Sequence, residues 1–133
     1  MAKRPLLIAL TLALAIAMAV GVVSFINQPR ADEGLERAVM SRPSGGASEA
    51  FARADVTAER VCVFGPYSTD AAIADELGFE WSGTAQQTGI GSLDTHELVV
   101  AADLNRVIAW AMVPRGSGSW LLEDAAYGCE PVT

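Results

Sequence analysis

Residues Arg60 to Trp81 read RVCVFGPYSTDAAIADELGFEW, and this stretch decides the fold. Val61, Cys62, Val63 and Phe64 form a short β-branched and aromatic run that predicts a buried strand. Gly65-Pro66 stops it, because proline cannot donate to a ladder. A helix should follow almost at once. Ser68 or Thr69 can cap its free N–H groups, Asp70 suits the positive end of its dipole, and Gly78 can take the left-handed conformation that ends it. Ile73, Ala74 and Leu77 share one face, while Asp70, Asp75 and Glu76 lie largely elsewhere around the helix. The unit is a strand, a tight turn and an amphipathic helix packed back on the strand, and its chemistry is structural.

Downstream, Ser82 to Thr95 is rich in Gly, Ser, Thr and Gln and reads as loop or irregular edge, with Ile90 and Leu93 as anchors to the core. Two strands come next, His96 to Ala102 (HELVVAA) and Arg106 to Val113 (RVIAWAMV), joined by Asp103-Leu104-Asn105 in a hairpin, since Asn105 tolerates a left-handed conformation. In the second strand Ile108, Trp110 and Met112 alternate with Val107, Ala109, Ala111 and Val113, so both faces are apolar. The sheet is therefore either covered on both sides or keeps one face for a partner. PRGSGS at 114–119 breaks the chain, Trp120-Leu121-Leu122 offers a short last strand or turn, and the tail carries Cys129 back to the first strand.

Upstream, Ser48 to Glu59 predicts a first helix with Ser48 as cap and Phe51 and Ala54 on one side. Residues 27–47 mix proline, glycine, serine and charge and read as a flexible linker; Pro43 and Gly45-Gly46 end any turn of helix that Leu35, Val39 and Met40 begin. Before it, Lys3 and Arg4 precede an uncharged apolar run from Leu6 to Ile26, 21 residues long, which at about 1.5 Å per residue matches the ~30 Å hydrocarbon core of a bilayer. Residues 1–26 are thus expected to be a membrane anchor, with a cleaved signal peptide as the alternative. The basic flank favours the cytoplasm. That arrangement gives a single-pass protein of the plasma (inner) membrane, with residues 48–133 folded outside the cytoplasm.

Cys62 and Cys129 are the only cysteines. An even pair in an extracytoplasmic domain predicts a disulfide, and their wide separation disfavours a redox role, which usually uses a C-x-x-C pair. All 16 acidic residues follow the apolar run, and the whole chain carries a net charge of −7. A surface this acidic excludes nucleic acid as a partner, because phosphate backbones would be repelled.

The run VCVFGPYS from Val61 to Ser68, followed by a helix closing at Leu77-Gly78 and an aromatic at Trp81, resembles a group of small bacterial secreted or membrane-anchored domains. In these an apolar strand ends in F-x-P-Y or F-G-P-Y before a helix, and a hairpin strand follows near the C-terminus. The resemblance covers roughly Arg60 to Val113 and implies location and fold rather than an activity. Such domains often carry a Trp-Asp pair just before the strand, where Ala58-Glu59 stand in this chain.

Three clusters invite a functional reading. Asp94, His96 and Glu97 put the only histidine beside two carboxylates, which is a candidate metal or proton-shuttle set. Strand alternation, however, sends Glu97 to the face opposite Asp94 and His96. Gly89-Ile90-Gly91-Ser92 lacks the strand-to-helix context and lysine of a phosphate loop and reads as a turn. Tyr67, Trp110 and Trp120 are the candidate binding surface, with Trp81 beside them and Trp120 the most exposed member. No G-x-S-x-G elbow occurs and one histidine offers little to a nucleophile, so no catalytic residue is assigned. The expected architecture is α+β: an N-terminal transmembrane helix, then an antiparallel sheet of three or four strands with one or two packed helices. The expected function is a membrane-anchored accessory or protein-binding module of the cell envelope, neither enzymatic nor cofactor-dependent. The alternative is a small-ligand or metal-cation binding domain.

Overall fold

Alternation along Val61 to Phe64 divides the molecule. Val61 and Val63 enter one apolar cluster, Cys62 and Phe64 the other, and the strand that carries them runs between the two. The computed structural model describes residues 29–132. The apolar run Leu6–Ile26 lies outside the described residues, and no helix among those described is long and apolar enough to cross a membrane.

The elements are α1 (Glu33–Met40), α2 (Gly46–Arg53), β1 (Arg60–Phe64), α3 (Asp70–Leu77), α4 (Thr84–Thr88), β2 (His96–Ala102), β3 (Val107–Pro114) and β4 (Gly128–Pro131). The four strands form one sheet in the order β3-β2-β1-β4, antiparallel throughout. This is the expected α+β architecture with a four-stranded antiparallel sheet, but with four helices among the described residues rather than one or two. Both faces of the sheet are covered. Leu35, Val39, Ala50 and Phe51 of α1 and α2 pack on the side of Val61, Val63, Val99 and Ala111. Ile73 and Leu77 of α3, with Ile90, pack on the side of Cys62, Phe64, Leu98 and Trp110. The doubly apolar hairpin thus lies in the layer between the two sets of helices and, among the described residues, has both faces covered.

Residues 27–47 are not a flexible linker across their described part. Asp32 caps α1 by accepting the Leu35 N–H at 2.9 Å, and Leu35 and Val39 are 0% exposed. An eight-residue helix is marginal alone, so its stability comes from burying Leu35, Ala38 and Val39 together, the i, i+3, i+4 positions of one face. Pro43 and Gly45 lie between two packed helices, not in a tether. Immediately before α1, Ala31 bridges Trp110 of β3 in parallel, Asp32 N–H donates to Trp110 O at 2.9 Å, and Trp110 Nε1–H donates to Pro29 O at 3.1 Å. The packed part of the domain therefore reaches upstream of Ser48 at least as far as Pro29.

Smaller differences have local causes. The helix expected over Ser48–Glu59 is α2, which starts at Gly46, and Asp55 at φ 56° turns the chain so that 54–59 is not helical. The Ser82–Thr95 segment holds α4 and a 3-10 turn over Ile90–Ser92, its Thr84 hydroxyl donating to Trp81 O. Trp120 sits in a 3-10 turn, Ser119–Leu121, and the last strand is β4 instead. Pairing shifts between Ala101 and Ala102, which face Ala109 and Val107 respectively. The extra residue, Ile108, is a bulge that turns Val107 to the Trp110 side.

The central unit forms as its residues dictate. Thr69 accepts the Ala72 N–H at 3.2 Å, Gly78 at φ 80° ends α3, and Arg60 donates to Leu77 O at 2.8 Å, placing a cation on the free carbonyls of the helix. Cys62 faces Cys129 across β1 and β4, and the two form a disulfide.

Candidate functional site

The register carries the site. With Cys62 opposite Cys129 and Val63 opposite Gly128, Tyr127 falls beside the chain as it leaves β1. Its ring lies over Gly65, where a Cβ would come within 2.8 Å of the ring. Any side chain at Gly65 would have to displace the Tyr127 ring. The turn Gly65-Pro66-Tyr67-Ser68 is closed by Ser68 Oγ–H donating to Gly65 O at 2.7 Å and by Tyr67 N–H donating to Ile90 O at 3.0 Å.

Tyr67 takes a left-handed backbone, φ 60°, and its side chain is 58% exposed. A bulky residue in this region costs on the order of 1–2 kcal/mol that glycine would not incur. A strained, exposed aromatic on a well-anchored turn is the kind of outlier that marks binding sites. It rims an open cleft of about 700 Å³ whose other walls include Tyr127, Arg115 and, from α3, Ala72, Asp75 and Glu76.

Behind the cleft lies a buried carboxylate. Glu97 is 1% exposed and accepts the N–H groups of Gly116 at 2.8 Å and Gly118 at 2.9 Å, with the Tyr127 hydroxyl donating at 3.3 Å. Together with Arg42, which donates to Gly116 O at 2.9 Å, it pins the 115–118 loop that supplies Arg115. Partial burial, then the charge of Glu97 and the hydrogen bond to it, push the Tyr127 phenol above its ordinary value, against an opposing pull from Arg115. Tyr127 is therefore a neutral hydrogen-bonding group at physiological pH, not a base.

The sequence-derived candidates do not assemble into one patch. Tyr67 is at the cleft. Trp110 is buried on the α3 side, its ring 6.4 Å from that of Trp81, and Trp120 is half-buried against the α1 and α2 side. Trp110 is a core residue because its strand lies inside the sandwich rather than at a bare face. Asp94 is exposed, His96 contacts the Thr95 hydroxyl at 2.8 Å, and Glu97 points to the opposite face, where backbone donors occupy both its oxygens. Among the described residues no group of three or more His, Cys, Asp or Glu is arranged to hold a metal.

Tyr127 and Arg115 were not singled out by sequence reasoning, although one signal for the first existed. A Cys62–Cys129 pair across antiparallel strands brings Tyr127 alongside Phe64 and Gly65. Comparison with protein-family models, curated proteins and solved structures gave no match to the chain.

Proposed function

We propose that the chain is a membrane-anchored, extracytoplasmic binding module, without catalytic activity of its own, that presents the Tyr67–Tyr127 cleft to another protein of the envelope. The observation that carries this reading is Tyr67, an aromatic held at a conformational cost with its ring in solvent. The fixed walls around it support the same reading. Glu97 holds the Arg115 loop, and the disulfide holds the strand that follows Tyr127, so little ordering entropy remains to be lost on binding. The disulfide also favours an oxidising compartment, and the apolar run Leu6–Ile26 supplies the anchor. Tyr, Arg and paired carboxylates at one cleft suit a polypeptide bearing both an apolar and a basic side chain.

The test is a photo-reactive amino acid at position 67 of the full-length protein in intact membranes, with the same group at Ser48 on the exposed surface of α2 as reference. A discrete adduct at 67 that is absent at 48 is expected. Equal labelling from both positions, or none from 67, overturns the reading.

The size of the cleft favours one alternative, a small-ligand domain, since small-molecule pockets fall in the range of about 300–1,000 Å³. Its mark would be a rise in thermal stability with a small molecule that Tyr67→Ala abolishes, without any adduct at 67.

A further inference from the structure

The chain enters the domain at one end of the sheet. Pro29 is held there by Trp110 Nε1–H, and the shallow depression it shares is lined by Phe79, the exposed Glu80, Trp81, Asn105, Arg106 and Ile108 among others. Just outside it, at the tip of the β2–β3 hairpin, Leu104 is 71% exposed. An apolar side chain on a hairpin tip, half-buried Phe79, Trp81 and Ile108, and an exposed Arg106 thus surround the point where the chain arrives. An exposed apolar side chain beside a long cation on an apolar stem suits the headgroup layer of a bilayer.

Distance makes this specific. Only Asn27 and Gln28 stand between Ile26, the last residue of the apolar run, and Pro29. Three residue steps span at most about 10 Å. The headgroup layer on each side of the hydrocarbon core is itself roughly 5–7 Å thick. Pro29 and the residues packed around it therefore stand at or just above the headgroups, whatever the tilt of the preceding segment.

We propose that this end of the domain, with Leu104 foremost, rests on the outer surface of the bilayer that holds the anchor. The proposal rests on the anchored reading above. Its consequence for the cleft follows from strand register. Arg60 and Ala102 pair at the membrane end of the sheet, Phe64 and Leu98 at the other. The four residue steps across the five residues of β1, at about 3.3 Å each, separate the two ends by roughly 13 Å. Tyr67 and Arg115 are thereby held away from the lipid, facing outward.

The experiment uses the full-length protein, its disulfide intact, in phosphatidylcholine vesicles. An environment-sensitive fluorophore is attached to an introduced cysteine at Leu104→Cys or, as reference, at Tyr67→Cys, and quencher lipids carry a nitroxide near the headgroup. Retention in the vesicles after alkaline extraction reports the anchor separately. Retention, with a blue-shifted emission and several-fold stronger quenching at 104 than at 67, is the expected result. Retention with equal, water-like signals at both positions overturns the lipid contact while leaving the anchor standing. Release on alkaline extraction overturns the anchor, and the contact with it.

Discussion

Glu97 Oε2 accepts the Gly118 N–H at 2.9 Å, and a Cβ at Gly118 would come within 3.1 Å of that same oxygen and 2.9 Å of Val99. The carboxylate and the glycine are thus fitted to each other inside the domain. Replacing Glu97 by Ala removes the acceptor of the buried Gly118 N–H and of the part-buried Gly116 N–H, and an orphaned buried donor costs about 1–3 kcal/mol. We expect Glu97→Ala to lower the unfolding free energy by about 3 kcal/mol and Glu97→Gln to lose less, because its carbonyl keeps one bond. Denaturant unfolding of the disulfide-intact protein measures both. An Ala variant as stable as the parent would remove the carboxylate from the account.

Tyr127 titrates above the ordinary phenol range near 10. The folded value being raised, its contribution is fully present below the unfolded value and is lost as pH climbs through the folded one. Stability should therefore decline at alkaline pH, and Tyr127→Phe should decline less steeply over that window. Tyrosinate absorbance followed alongside unfolding checks this. A phenol at residue 127 that ionises below the ordinary range would contradict the contact with Glu97.

At Tyr67 stability and binding should separate. Tyr67→Gly relieves the left-handed strain and is expected to be neutral or stabilising by up to about 1 kcal/mol, after the greater backbone entropy of glycine is counted. The same change removes the ring that rims the cleft and should abolish capture of a partner there. A variant that unfolds more easily than the parent would show that the ring packs for structure instead.

Leu35 is fully buried in α1, so Leu35→Ala should cost about 2–5 kcal/mol, the range for leucine cavities in cores. Removal of residues 29–47 should leave the remainder unfolded, with the apolar face of Val99, Ala111 and Val113 uncovered. A folded protein starting at Ser48, with sharp near-ultraviolet circular dichroism, would restore the flexible linker.

The disulfide closes a loop with a sequence separation of 67 residues. On the chain-entropy model its removal costs about 4 kcal/mol. The Cys62→Ala, Cys129→Ala double variant should show that loss in denaturant midpoint, and a change under 1 kcal/mol would mean that β4 is held chiefly by its ladder.

The strands were legible because HELVVAA and VIAWAMV are short, β-branched apolar runs joined by a three-residue turn through Asn105, and α3 because Thr69 and Gly78 mark both its ends. Helix α1 was hidden by its brevity. Leu35, Ala38 and Val39 span little more than one turn, and in such a short run the prolines and glycines that separate two packed helices look the same as those of a tether. At the site, Tyr67 was visible as a solitary aromatic after a Gly-Pro break, but its partners come from 115 and 127. Glu97 stands in an apolar strand as though marking a solvated edge. Its acceptor role exists only because the 115–118 loop folds back over it, and no local pattern encodes that closure.

The two ends of the described chain finish the two margins of the sheet. Ala31 lies against β3, and beyond β1 the four-residue β4 ends at Pro131, which has no N–H to offer, while Glu130 is engaged by the Glu123 and Asp124 amides at 2.7 and 3.0 Å. Exposed sheet margins are where identical chains zip together. Copies confined to one plane collide far more often than copies in bulk solution. A strand of four residues that ends in proline, and an outer strand partly covered by Ala31, leave little continuous ladder for a second copy to extend.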